Sequence, residues 1–388
     1  MDPIKRRTAV IAGGGIGGLA VGWALARYGW QVRVHERGPE IREIGAGILL
    51  MSNSISIFEH YGFADLILAR AIAYEGSLRL EHDGRLIQRS DLRGDYRWMG
   101  VTRSDLVLGL AEAARRQGVE IITDSEAVGI DPTGTLTLAN GAVERADLVI
   151  AADGFRSVLR DQLGLTVRAS DRRSGATRLL IKRTDAESEP IFREYWSGRR
   201  RVGIGPVAPD LTYAYLSCPH SDARGCAMPI DIDSWRAAFP GISDFFDRLA
   251  NPHSIARHSY AHAVVSKWSH GRAVVLGDAA HAFPPALGQG AGIAITNGYA
   301  LARMLDREGD IEMALRDWEQ RFRWIADQTQ TWSLRIDSLT TQWPRPLSFV
   351  RRAMLWGIGQ LSAMNSRVRV ADRIDLAGPK FDRKTEAQ

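Results

Sequence analysis

Short apolar runs, each closed by glycine or an acidic residue, alternate with helical patterns in the first part of the chain. Thr8 to Ala12 reads as a buried strand, Leu19 to Tyr28 as a helix, and Gln31 to His35 as a second strand ending at Glu36. Together they have the size of one strand–helix–strand unit. Helical spacing returns at Ser52 to His60 and at Ser104 to Gln117, the latter with Thr102 and Asp105 spaced like a capping box. A strand follows at Val119 to Thr123. The segment TLTLANGAVE then carries Asn140-Gly141, a pair that predicts a type I′ hairpin. Asp147 to Ala152 is another apolar strand, closed by Asp153-Gly154.

From about Thr166 to Ser266 the pattern changes to alternation, as in Thr212 to Cys218, with many arginines and scattered prolines. Such a stretch predicts an antiparallel sheet carrying a pocket. At Arg272 the first style returns as the strand RAVVLGD and a glycine-rich entry into a helix. Ile311 to Thr331 is an amphipathic helix, and Leu347 to Met364 is read as another. The first domain is therefore discontinuous, formed by 1–75, 98–165 and 267–330. A second domain, 76–97 and 166–266, interrupts it, and 331–388 is a helical C-terminal segment.

Composition narrows the function classes. The 388 residues are 45% hydrophobic and 24% charged, an ordinary globular balance. Fifty basic against 45 acidic residues leave a net charge of only +5, mixed along the chain, so no nucleic-acid stripe is expected. Cys218 and Cys226 are too far apart for a CxxC pair and too few for a zinc site or disulfide framework. No metal is expected, and a reducing, cytoplasmic setting fits best. Ala279 to Ala302 lacks Asp, Glu, Lys and Arg and is long enough to span a bilayer. Its glycines, prolines, His281, Gln289 and Asn297 instead predict a buried loop entering a helix. The apolar run Ala9 to Ala12 is too short for a signal peptide.

Gly13-x-Gly15-x-x-Gly18 stands between the first strand and first helix, the context that a dinucleotide fingerprint requires. Gly13 allows the tight turn, Gly15 lets backbone approach a pyrophosphate, and Gly18 permits close helix–strand packing. The helix N-terminus stabilises phosphate charge. Glu36 is placed to accept hydrogen bonds from the adenosine ribose. The bland alternative is a plain glycine turn, and the fingerprint alone does not separate NAD from FAD.

Two later segments separate them by resemblance. DLVIAADGFRSVLR, with Asp153, Gly154, Ser157 and Arg160, resembles the second motif of class A FAD-dependent aromatic monooxygenases. RAVVLGDAAHAFPPALGQGAG, with Gly277-Asp278 at a strand end, resembles the third. The motifs occur in family order, and the resemblance covers about residues 8 to 330. It implies an α/β fold, α+β overall: a Rossmann-like FAD-binding domain interrupted by an antiparallel-sheet substrate domain, with a helical tail. It also implies that the Asp153-Gly154 turn serves both FAD and the nicotinamide donor, and that Asp278 binds the ribityl chain. A carboxylate at the carboxyl end of a strand can accept ribityl hydroxyls. Backbone N–H groups around Gly288, Gly290, Ala291 and Gly292, at a helix start, suit negative charge on a reduced flavin.

Smaller pieces follow the same template. Arg42 and Arg103 match family arginines near the FAD diphosphate or ribose, with a solvated surface arginine as the alternative. Arg37 falls in the same FAD site and is no evidence for NADP. Gly45 to Ile48, including Gly47, matches the loop beside the isoalloxazine, and Pro284-Pro285 the proline stretch on the flavin face. His281 is read as structural rather than as a base. Gly292 and Thr296-Asn297 depart from the Asn and Glu-Asp of many members. With GWQVRVHER, VTRSDL and MPIDIDSW, these departures resemble the branch of 2-methyl-3-hydroxypyridine-5-carboxylate oxygenase.

The resemblance implies that NADH or NADPH reduces non-covalent FAD, whose C4a-hydroperoxide then hydroxylates a hydroxylated pyridine, phenol or benzoate. No second Gly-x-Gly-x-x-Gly occurs, so the nicotinamide is expected as a transient visitor. A flavin reductase or dehydrogenase of the same fold, and a non-catalytic redox sensor, are the competing readings. The expected partners are the aromatic substrate, O2 and NAD(P)H, with the protein a monomer or homodimer. For the substrate, Tyr213, Tyr215 and Ser217 share one strand face by period two, where a tyrosine pair can bind a ring hydroxyl or nitrogen. Ordinary sheet packing is the alternative. Tyr74 and Arg201 are further candidates, although the Arg199–Arg201 run is favoured as a solvated hairpin turn. An arginine near the pocket suits a carboxylate or phenolate.

Overall fold

The computed structural model describes residues 6–42, 46–92 and 96–341. The expected helix from Leu347 to Met364 and the position of Gly45 lie outside them. The apolar runs at Thr8–Ala12, Gln31–His35, Glu120–Ile122, Leu148–Ala151 and Ala273–Val275 form parallel neighbours in one sheet, with the short Ser269–His270 strand antiparallel at its edge. Leu148–Ala151 and Ala273–Val275 are buried throughout, as expected of strands covered on both faces. The helices Ile16–Arg27, Arg103–Arg116 and Gly290–Arg307 contribute to the same core. Close packing between the first and last of these needs a small residue: a Cβ at Gly298 would lie 3.0 Å from the Val21 Cβ. From Thr8–Ala12 the chain moves to Gln31–His35 on one side, while Leu148–Ala151 pairs on the other. This switch point opens a crevice at the carboxyl ends of the strands.

A seven-stranded sheet forms the second layer system, in the order Ser254–Val265, Thr166–Lys182, Leu211–Pro219, Arg200–Pro206, Ile191–Ser197, Gly76–Glu81 and Leu86–Asp91. Its pairings are antiparallel except between Ile191–Ser197 and Gly76–Glu81. One face carries Leu179, Ile181, Ala214, Leu216 and Cys218 and packs under Trp235, Phe239, Phe245 and Phe246. The opposite face looks into a cavity. A small sheet of Gly47–Met51, Trp98–Thr102 and Ile72–Tyr74, and a meander of Ala127–Asp131, Thr135–Leu138 and Val143–Arg145, complete the strands.

The structure corrects three expectations. Asn140-Gly141 does mark a hairpin, but its turn is not type I′: only Gly141 has a positive φ, and its N–H closes on the Leu138 carbonyl at 2.9 Å. A three-residue turn with glycine in the left-handed position results. The amphipathic helix from Ile311 continues to Thr341, because Ser333, Asp337, Thr340 and Thr341 are buried polar positions that break an apolar pattern without leaving the core. Lastly, the arginine run is not a solvated turn. The turn is Gly198-Arg199; Arg200 and Arg201 belong to the next strand, and Arg201 is only 4% exposed.

Candidate active site

The crevice of the parallel sheet and the open face of the seven-stranded sheet share one cavity of about 1420 Å³. That exceeds the ~300–1,000 Å³ of a site for one drug-sized ligand. At one end, the strand-to-helix turn is fixed by contacts that only glycine allows. Gly13 has φ +106°, and a Cβ there would meet the Ala152 carbonyl oxygen at 2.4 Å; one at Gly18 would meet the Gly13 oxygen at 1.9 Å. A Cβ at Gly15 meets nothing within 4 Å, so that position opens directly into the cavity. Glu36 accepts from the Gly14 N–H at 2.7 Å and the Gly38 N–H at 2.8 Å, which orients its carboxylate at the cavity wall. Arg37, Arg42 and Arg103 also line this region; Arg42 is largely exposed and pairs with Glu40 at 3.2 Å.

Asp153 and Asp278 follow the ends of adjacent strands and both face the cavity. Burial raises the Asp153 carboxyl pKa against hydrogen bonding from Ser157, and its Oδ1 is buried without a partner. Such an atom needs a donor, which a bound hydroxylic ligand supplies. Ser157 caps the short Val158–Gln162 helix, and Arg160 is spent structurally, donating to the carbonyls of Phe155 and Ala279. Beyond Asp278 the wall continues through Pro285, Gly288, Gly290 and Ala291, the last two opening the Gly290–Arg307 helix. Four expected residues do not line the cavity. Gly18 packs inside the turn, and Gly292 lies against Gln289 and Asn53. Pro284 presents its carbonyl to the Ser333 hydroxyl, while Tyr74 is buried and donates to the Pro206 carbonyl at 2.7 Å. His281 is also off the wall: burial pushes its pKa down to about 4, and its Nε2 faces the Asn297 amide at 3.3 Å.

The far wall is a charged aromatic face. Gly47 allows the two halves to meet, since a Cβ there would lie 2.4 Å from that of Tyr213. Tyr213 and Tyr215 both line the cavity with ring centroids 6.1 Å apart, and Arg178 hydrogen-bonds Tyr213. Tyr215 donates to Glu194; burial, then the Glu194 charge, holds its pKa well above the ordinary value. Ser217 accepts from Tyr260 at 3.0 Å. Arg201 lies between Glu194 at 3.8 Å and Asp337 at 3.5 Å. Burial opposes its charge, but Tyr260, Glu194, Tyr215 and Asp337 outweigh that, and the guanidinium stays protonated. Arg178, Glu194 and Tyr260 escape sequence reading because strand register, not spacing, brings them together, and Asp337 because it arrives from the Ile311–Thr341 helix.

The glycine cradle, helix N-terminus, Glu36 and the unpartnered Asp153 oxygen fit a flavin dinucleotide. Comparison with known proteins agrees. Residues 6–308 match the model of a family described as FAD binding domain, and the chain belongs to that family. It is an FAD-dependent monooxygenase of the class A flavoprotein hydroxylases. It is 37% identical over 343 residues to 2-heptyl-3-hydroxy-4(1H)-quinolone synthase of Mycobacteroides abscessus, spanning 84% of this chain and 89% of the relative. Aurachin C monooxygenase/isomerase of Stigmatella aurantiaca is 30% identical, over 80% of this chain and 84% of the relative. The structure of tetrameric 2-methyl-3-hydroxypyridine-5-carboxylic acid oxygenase superposes with a TM-score of 0.84 at 32% identity, covering 96% of this chain and 97% of that one. Among the described residues, no helix is long and apolar enough to cross a membrane, and no cluster of metal-ligating side chains occurs.

Proposed function

We propose that this monooxygenase uses NADH or NADPH and O2 to hydroxylate a small nitrogen-containing or phenolic aromatic ring, of hydroxypyridine or quinolone type. The observation that carries the reading is the single cavity joining a dinucleotide cradle to a wall of Tyr213, Tyr215, Arg178 and Arg201. Gly13, Gly15 and the Ile16–Arg27 helix N-terminus hold the diphosphate, aided by Arg37, Arg42 and Arg103. Glu36 takes the ribose, Asp153 and Asp278 the polyol, and Gly47 with Gly288, Gly290 and Ala291 the ring system. The bound flavin supplies hydride acceptance and oxygen activation.

The chain's own residues then orient the substrate. Tyr213 and Tyr215 meet its polar edge, Arg201 and Arg178 favour partial negative charge on it, and Pro285 borders the reacting space. A ring hydroxyl held partly ionised is more electron-rich and so more open to electrophilic attack. Phe192, Trp196 and Leu49 exclude water around it. The names of two relatives, a synthase of a 3-hydroxy-4-quinolone and an oxygenase of a hydroxypyridine carboxylic acid, support this substrate class. The test is direct. Purified protein is yellow, and its NAD(P)H oxidation accelerates with hydroxypyridines or 4-quinolones; colourless protein that cannot be reconstituted with FAD overturns the reading.

A further inference from the structure

On the back of the seven-stranded sheet, away from the cavity, lie the two cysteines. Their sulfurs are 3.6 Å apart. Cys218 is buried in the Leu211–Pro219 strand, and Cys226 is half-buried on the turn that follows. The Arg257 guanidinium donates to the Cys226 Sγ at 2.8 Å and to the Cys218 Sγ at 3.5 Å. We propose that Cys218, Cys226 and Arg257 form a dithiol site that is oxidised to an intramolecular disulfide.

Three features build the site. Gly225 brings the turn against the strand: a Cβ there would sit 3.0 Å from the Cys218 Sγ. Asp222 fixes the turn, accepting from the Gly225 N–H at 2.9 Å and from Arg200 at 2.6 and 2.8 Å. Register does the rest. Thr177 pairs with Arg257, whose guanidinium donates to the Thr177 hydroxyl at 3.3 Å, and two residues back on the same strand Gly175 pairs with Cys218, so register sets the cation beside the buried sulfur. A cation at hydrogen-bonding distance favours negative charge on sulfur, the form that reacts. Burial pushes the Cys218 thiol up to about 12 despite Arg257, so the half-buried Cys226, with the shorter Arg257 contact, is the sulfur oxidised first and Cys218 the one that closes the bond.

The oxidant is a peroxide. The Cys226 sulfur attacks one peroxide oxygen, the O–O bond breaks, and one water leaves as a sulfenic acid forms. The Cys218 sulfur then displaces the hydroxyl, which departs as the second water. One S–S bond forms, two thiol hydrogens are lost, and hydrogen peroxide is reduced by two electrons.

The full-length FAD-loaded protein is treated with hydrogen peroxide, quenched with an alkylating reagent, and mapped by mass spectrometry. The expected result is a 218–226 linkage two hydrogens lighter than the dithiol, with both alkylation sites lost together. Arg257→Gln slows its formation by about tenfold, Arg257→Lys less, and Cys226→Ser abolishes it while leaving FAD content unchanged. Flavin absorbance and thermal unfolding establish that each variant is folded. Independent alkylation of the two thiols, over-oxidation of Cys226 without a linkage, or equal rates in the wild type and Arg257→Gln would overturn the proposal.

Discussion

The two walls of the cavity are built on opposite terms. The cofactor wall uses backbone: turns, helix starts and strand ends, with glycine wherever a Cβ would collide or block approach. The facing wall uses long side chains, and several of its charges are buried. Arg201, Glu194 and Asp337 meet from two strands and the Ile311–Thr341 helix, at distances of 3.5 to 3.8 Å. A backbone cradle tolerates no change of size at a few positions. A side-chain wall tolerates size but not loss of charge, because each member neutralises another. The two walls therefore fail differently, and substitutions separate them.

The largest effect is expected on the side-chain wall. Arg201→Ala leaves Glu194 and Asp337 without their shared cation and costs about 3–5 kcal/mol of stability. Protein that survives keeps its FAD but loses acceleration of NAD(P)H oxidation by the aromatic; chemical denaturation and flavin absorbance read both. On the cradle side, Gly18→Ala forces a Cβ into the Gly13 carbonyl and costs about 3 kcal/mol even without cofactor. Gly15→Ala meets no protein atom, so the apoprotein melts as the wild type does while FAD retention falls. If Gly15→Ala lowered apoprotein Tm as much as Gly18→Ala, the distinction between packing and cofactor glycines would be lost.

A pH series probes the buried end of the Asp278–His281 helix. His281, buried and held neutral, has a folded pKa of about 4 against an ordinary 6.5. Between those values the unfolded chain binds a proton that the folded one does not, so stability falls as pH drops. The loss reaches about 3 kcal/mol near pH 4, and His281→Gln flattens the denaturation midpoint over that window. The smallest effect belongs to Arg42. Its exposed pair with Glu40 contributes under about 0.5 kcal/mol, so Arg42→Ala leaves Tm unchanged, and Arg103→Ala lowers FAD affinity more.

The same contrast explains what the chain disclosed before its structure. The first strand, the glycine turn and Glu36 lie within a short stretch, so spacing locates them, and the Asp278 segment is equally local, though its likeness to a family motif is what singles it out. The β-strand that carries Tyr213 and Tyr215 was legible from alternation. Arg201 is a pocket candidate from its charge, yet three consecutive arginines favour a solvated turn, because composition does not show the acids that meet one of them inside. Asp337 offered no signal at all: one buried acid in a long polar-looking helix takes its meaning from Arg201 and Arg172 across the interface. Tyr74 and Pro284 stand beside the site rather than in it: Tyr74 donates to the Pro206 carbonyl and the Pro284 carbonyl accepts from Ser333, long-range partners that no local pattern shows.

The central claim is that both walls serve one oxygen-inserting reaction. Its most direct test is a turnover of the FAD-loaded protein with NAD(P)H, a hydroxypyridine or 4-quinolone that accelerates flavin reduction, and 18O2. The account predicts one labelled oxygen atom in the aromatic product for each NAD(P)H consumed. A product labelled from water, or NAD(P)H oxidised at the same rate with and without every aromatic tested, would contradict it.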